Sequence, residues 1–109
     1  MNNFIQVVTA TEKKEQAEHI AKAIIDQRLA GCAQILGPIT SIYHWKGKVE
    51  RAEEWLCVLK TRADRFGQLE QAIKSLHPYE TPEILAFPVS AGSASYLDWL
   101  TGELNEART

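Results

Sequence analysis

The sequence predicts an α+β fold, a ferredoxin-like split-βαβ sandwich with a long central hairpin and an extra C-terminal helix. Three observations predict it. Apolar runs with strand and helix periods alternate in the order strand, helix, strand, strand, helix, strand, helix. The dipeptide Lys46-Gly47 sits between two long runs that alternate with period two. The hairpin also carries more apolar residues than one solvated sheet face holds, so a further subunit is expected to cover it.

Residues 4–9, Phe-Ile-Gln-Val-Val-Thr, are β-branched and mostly apolar, and read as a buried strand. Thr9 with Glu12 has the spacing of a capping box, with Thr11 as a rival N-cap. Ala17, Ile20, Ala21, Ile24 and Leu29 follow at helical spacing, and Gly31 is placed to end that helix. Residues 32–36 are extended and apolar. Gly37-Pro38 then interrupts them, because proline donates nothing to a sheet ladder. Ile39, Tyr43 and Trp45 resume an alternation, and residues 49–61 form the returning strand.

Thr61 and Asp64 have the spacing to cap a second helix, whose buried stripe is Phe66, Leu69, Ile73 and Leu76. Pro78 stops it, since the residue before a proline avoids the α region. Residues 83–89 read as the last strand, and Tyr96, Leu97, Trp99, Leu100 and Leu104 as a short closing helix. No linker, repeat or low-complexity run divides residues 1–109, so one domain is expected.

Composition removes several functions. The formal charge is −2, from 12 basic and 14 acidic residues, with no basic excess to meet phosphates. No apolar stretch approaches the ~20 residues of a membrane helix. Met1-Asn2-Asn3-Phe4 is unlike a secretory leader, so neither nucleic acid nor membrane insertion is expected, and the location is expected to be cytoplasmic. No glycine-rich phosphate loop, nucleophile elbow, Cys-x-x-Cys or His-Glu-x-x-His occurs. No catalytic residue and no organic cofactor are therefore assigned, and binding is favoured over catalysis.

Among single residues, Cys32 and Cys57 fall about four residues, or ~14 Å, apart along the hairpin, too far for one disulfide or one metal. A turn at Lys46-Gly47 makes paired positions sum to about 93, which sets Cys32 against Thr61 and Cys57 against Leu36, give or take one residue for a bulge. Both thiols read as small buried hydrophobes. His19 reads as exposed on its helix, and His44 as a partly exposed strand residue. Glu50, Glu53 and Glu54 read as a solvated strand tip.

His77 stands apart. It lies where a helix ends, in His77-Pro78-Tyr79-Glu80-Thr81-Pro82-Glu83, and the two prolines stiffen the backbone around an imidazole, a phenol and two carboxylates. That set suits a metal, a polar ligand or a subunit contact. Capping of the helix C-terminus by the imidazole fits equally well.

These residues resemble the CutA family, the divalent-cation tolerance proteins. Leu29-Ala30-Gly31-Cys32-Ala33 is similar to the family's Leu-Ala-Ala-Cys. Residues 41–50, Ser-Ile-Tyr-His-Trp-Lys-Gly-Lys-Val-Glu, resemble its hairpin. Lys60-Thr61, the His77-to-Glu83 stretch and Tyr96-Leu97-Asp98-Trp99-Leu100 follow in the family's order. The resemblance implies a ferredoxin-like homotrimer that binds copper, as Cu(II), or another divalent cation and is linked to metal tolerance. It points to His77, with Cys32 as a neighbour, for the metal. Val8 or Thr9 stands where some members carry a cysteine, and Leu76-His77 where some carry a His-His pair.

Two alternatives remain open at this stage. PII-type signal proteins share the fold and the trimer, and place small molecules between subunits. A comparable cleft here would draw on Tyr43, Trp45, Lys60, Tyr79 and Glu83. A trimer whose recurrent residues serve assembly alone is the other.

Overall fold

The computed structural model describes residues 3–106. The outermost positions of the expected 1–109 domain, including Met1 and Asn2 of the leader reading, lie outside the described residues. Eight elements follow in order: β1 (Phe4–Thr11), α1 (Lys14–Asp26), β2 (Cys32–Trp45), β3 (Lys48–Arg62), a single 3-10 turn (Ala63–Arg65), α2 (Phe66–Leu76), β4 (Leu85–Pro88) and α3 (Ala94–Glu103). The strands make one antiparallel sheet in the order β2-β3-β1-β4. That is the predicted split-βαβ arrangement.

Side-chain alternation divides the sheet into two faces. On one face Val7, Cys57 and Leu59 pack with Ala17, Ile20 and Ile24 of α1 and with Leu69 and Ile73 of α2, all buried. This is the core, and the helical stripes expected for α1 and α2 supply half of it. The opposite face is only partly covered. Lys60 lies under the Tyr96 ring at 5.8 Å, which sets α3 over one end of that second face. On that face Leu85 and Phe87 of β4 are 51% and 50% exposed, and on the helix-side face of the hairpin arm Ile42 and Val49 are 65% and 66% exposed. The apolar excess anticipated on the hairpin is therefore real in the single chain.

The β2–β3 turn is Lys46-Gly47, with φ of 50° and 81°, the left-handed pair that a two-residue hairpin needs. From Trp45↔Lys48 to Ile39↔Glu54 the partners keep one register, and from Leu36↔Leu56 to Cys32↔Lys60 they are offset by one. Gly37 and Pro38 together oppose the single residue Trp55, which is a β-bulge. The expected pairings change accordingly, to Cys32↔Lys60 and Cys57↔Ile35.

The bulge also switches which β2 residues face which side. Before it, Cys32, Gln34 and Leu36 share the face of Leu56. After it, Ile39, Ser41, Tyr43 and Trp45 share the face of Glu54.

Three expected caps do not form. Thr9 lies inside β1, because that ladder continues to Thr11↔Trp55. Helix α1 starts after Lys13, whose N–H donates to the Gln16 side chain at 3.1 Å, while the Thr11 hydroxyl donates to the Lys13 carbonyl at 2.8 Å. Gly31 does not end α1. The helix stops at Asp26, and Arg28 takes the left-handed conformation with φ 57°. Gly31 instead lets α3 come close, since a Cβ there would sit 2.5 Å from Leu100 Cδ1. Thr61 remains in β3, opposite Ile5, and its hydroxyl donates to the Leu29 carbonyl at 2.8 Å. Strand β4 is shorter than the 83–89 run, as its ladder with β1 covers only Leu85–Pro88.

A Cβ on Gly37 would meet the Trp55 ring at 2.6 Å and 2.8 Å, whereas a Cβ on Gly67 meets nothing within 4 Å. Gly37→Ala is expected to lower unfolding stability by ~1–3 kcal/mol through overpacking. Gly67→Ala, in α2, is expected to leave it unchanged or raise it by up to ~1 kcal/mol. Urea unfolding at one fixed protein concentration compares the two. Equal stability of Gly37→Ala and wild type would show that Trp55 does not hold the bulge.

Candidate functional site

The proline-fixed stretch after α2 folds back against the ends of β1 and β3. His77 is the residue that caps α2, extended at φ −79° and ψ 136°, with its N–H on the Ile73 carbonyl at 2.9 Å. Its ring is buried. Nδ1 accepts the Tyr79 backbone N–H at 3.1 Å, which leaves Nε2 as the protonated nitrogen, donating to the Ala10 carbonyl at 2.8 Å. Burial holds the imidazole below its ordinary 6.5, against the opposing pull of the Ala10 carbonyl and the Glu54 charge. The ring is therefore neutral and both nitrogens are occupied.

Tyr79 carries the chain of contacts outward. Its ring lies tilted beside His77, with centroids 4.8 Å apart, and its hydroxyl donates to Glu54 Oε2 at 2.7 Å. The phenol is pushed far above its usual value, first by burial and then by the Glu54 hydrogen bond and charge. Glu54 is 8% exposed, so it is not part of a solvated strand tip as the run Glu50-Glu53-Glu54 suggested. The bulge turns Ser41, Tyr43 and Trp45 of β2 to its side of the hairpin arm. No salt bridge reaches it among the described residues. Glu83 lies at the rim, its carboxyl raised first by desolvation and then by Glu54.

Together these groups line a cleft of about 610 Å³ between the hairpin arm and the His77-to-Glu83 stretch. Tyr43, Trp45, Tyr79 and Glu83 of the sequence candidates all border it. Lys60 does not. It lines a smaller cavity of about 250 Å³ at the α3 end, beneath Tyr96. Cys32 also lies at that end, paired with Lys60.

His77 and Cys32, expected together at a metal, are thus separated by about four residues, or ~13 Å, along β3. His77 bonds the carbonyl of Ala10, which pairs with Leu56, and Cys32 pairs with Lys60. Among the described residues no three His, Cys, Asp or Glu side chains converge to hold a metal ion. Within one chain the donor set does not fit a resident cation. Glu54, Glu12, Ser41 and Ala10 also border the cleft, though the sequence reading assigned none of them to a binding site. The missed signal was register: once two β2 residues oppose Trp55, Glu54 must share a face with Ser41, Tyr43 and Trp45.

His77 gives a pH dependence of definite sign. Its folded value is depressed, so the unfolded chain takes up the proton first as pH falls. The stability is intact above about pH 6.5 and is lost progressively below it. An NMR titration of the imidazole should show a midpoint below 6.5, and the unfolding free energy should fall from pH 7 towards pH 5 more steeply in wild type than in His77→Gln. A midpoint above 6.5 contradicts the neutral, doubly bonded ring.

Comparisons with known proteins agree with this fold. The family profile described as CutA1 divalent ion tolerance protein matches residues 5–103. The divalent-cation tolerance protein CutA of Thermus thermophilus is 44% identical over 94 residues, 86% of this chain and 91% of that protein. A solved structure of the Thermus thermophilus protein superposes with a TM-score of 0.90 at 40% identity, over 94% of this chain and 99% of the other. CutA1 from Oryza sativa superposes with a TM-score of 0.93 at 35% identity, over 96% of each chain. A structure described as the periplasmic divalent cation tolerance protein CutA from Archaeoglobus fulgidus gives a TM-score of 0.90 at 34% identity, over 94% of this chain and 99% of that one. With the family profile matching residues 5–103 and the fold reproduced at TM-scores of 0.90 to 0.93, this chain belongs to the CutA family of divalent-cation tolerance proteins.

Proposed function

We propose that the chain works as a homotrimeric binding protein in divalent-cation tolerance, with the cleft beside Glu54 as its working site. One observation carries this reading. Glu54 is a nearly buried carboxylate whose hydrogen-bond partner is a neutral phenol, at the edge of a formed cleft. A buried charge without a counter-ion is costly, so the site favours a cation. One chain offers too few converging donors for a metal, so Cu(II) or another divalent ion is held only with donors from more than one subunit.

The exposed apolar residues support the trimer. Leu36, Ile42, Val49, Leu85 and Phe87 lie on the hairpin and the β4 edge, where a neighbouring copy would cover them. Among the described residues no helix is long and apolar enough to cross a membrane. Both cysteines are free thiols, in keeping with a reducing, cytoplasmic location.

A second reading, a PII-like module that takes a small molecule in the cleft, is favoured by the cleft itself. Its volume falls within the roughly 300–1,000 Å³ of ligand pockets.

Native mass spectrometry should give three times the chain mass at micromolar concentration. Calorimetric titration with Cu(II) and Zn(II) should show binding that Glu54→Gln abolishes. A monomer by mass overturns the assembly. Binding lost in His77→Ala but untouched in Glu54→Gln returns the metal to the imidazole and away from the cleft.

A further inference from the structure

We infer that the Glu54 cleft is a binding site for a small primary organic ammonium ion. The inference rests on the reading of the cleft as the working site, and names a ligand class that its residues fit better than they fit a metal.

The lining decides the class. Glu12, Glu54, Glu80 and Glu83 border the cleft, and no lysine, arginine or histidine does. Its walls are the aromatic rings of Tyr43, Trp45 and Tyr79. A metal ion needs three or four donors converging within about 2–2.6 Å, and no such group comes together among the described residues. An alkylammonium asks for something else. Its three N–H donors need acceptors, its charge needs a carboxylate, and its carbon chain is content against aromatic faces.

Glu54 supplies the anchor. It is over nine-tenths buried, and Tyr79 bonds its Oε2 alone, so Oε1 remains to accept from a ligand. The Ser41 and Thr81 side chains lie among the lining residues as further acceptors. The Trp45 ring already attracts an ammonium group: Lys46 Nζ stands 5.6 Å from its centroid. His77 contributes by position, holding Tyr79 through the Nδ1 bond, and Tyr79 in turn orients Glu54. The desolvation that raises Glu83 agrees with a site where negative charge awaits a partner.

The test is calorimetry on the full chain in its native assembly, in low salt with EDTA present, using 1,4-diaminobutane as probe and 1,4-butanediol as its neutral counterpart. The diamine is expected to bind and the diol not to bind. Added salt should weaken the binding. Glu54→Gln and, independently, Glu83→Gln should each weaken it at least ten-fold; Glu83 is exposed at the rim, so its variant keeps the test alive if Glu54→Gln fails to fold. Equal binding of diol and diamine overturns the inference, as does diamine binding that both variants leave unchanged. No diamine binding alongside Cu(II) or Zn(II) binding that Glu54→Gln abolishes overturns the inference and leaves the metal reading standing. Neither ligand binding overturns both, as when a lysine or arginine of a second copy fills the cleft.

Discussion

Two residues of β2, Gly37 and Pro38, lie opposite one residue of β3, Trp55, and the cleft end of the molecule depends on that mismatch. A strand's side chains alternate strictly, so an inserted residue exchanges the two faces beyond it. In an unbroken ladder, Thr40, Ile42 and His44 would have faced the concave side of the arm. The bulge sends Ser41, Tyr43 and Trp45 there instead, beside Glu54. Gly37 permits it, because the Trp55 ring occupies the space a Cβ would need. Trp55 in turn packs against the core, so the phase of the hairpin arm is anchored in the hydrophobic interior.

A second constraint is a short polar relay. The Ala10 carbonyl, the His77 ring, the Tyr79 backbone and hydroxyl, and Glu54 are joined in series from β1 to β3. Each group is wholly or partly withdrawn from water, and each bond satisfies a group that would be costly to leave alone. The relay ends on a carboxylate, so its last member is still short of a positive charge. This is how the architecture turns a helix cap into a site. The imidazole is spent on structure, and the free valence passes to Glu54. In the single chain the histidine picked out by residue type has both ring nitrogens bonded to backbone groups.

Helices α1 and α2 occupy one face, and α3 shields only the end near Lys60. β4 has four residues, all exposed, and the hairpin arm extends apolar residues on both sides. A sheet edge and an apolar face left open together invite pairing with another chain. The cleft lies next to that surface, so ligand binding and assembly would share residues.

What the sequence determined by itself was whatever depends on local pattern. The order of elements follows from periods of two and 3.6. The turn at Lys46-Gly47 follows from a glycine with positive φ, and the end of α2 follows from Pro78. The excess of apolar residues on the hairpin was legible for the same reason, as was the interruption at Gly37-Pro38. The caps assigned to Thr9, Gly31 and Thr61 were not decided locally. Strand pairing carried β1 and β3 past the threonines, and their hydroxyls found other carbonyls or, for Thr9, none. Only the tertiary structure decided the site. Glu54 sits in a run of charges, and its burial comes from a register offset in one hairpin and a tyrosine 25 positions further along the chain. Both nitrogens of His77 are claimed by backbone groups, one of them 67 positions away. Proximity of that kind is a property of the packed sheet, and no spacing along the chain encodes it.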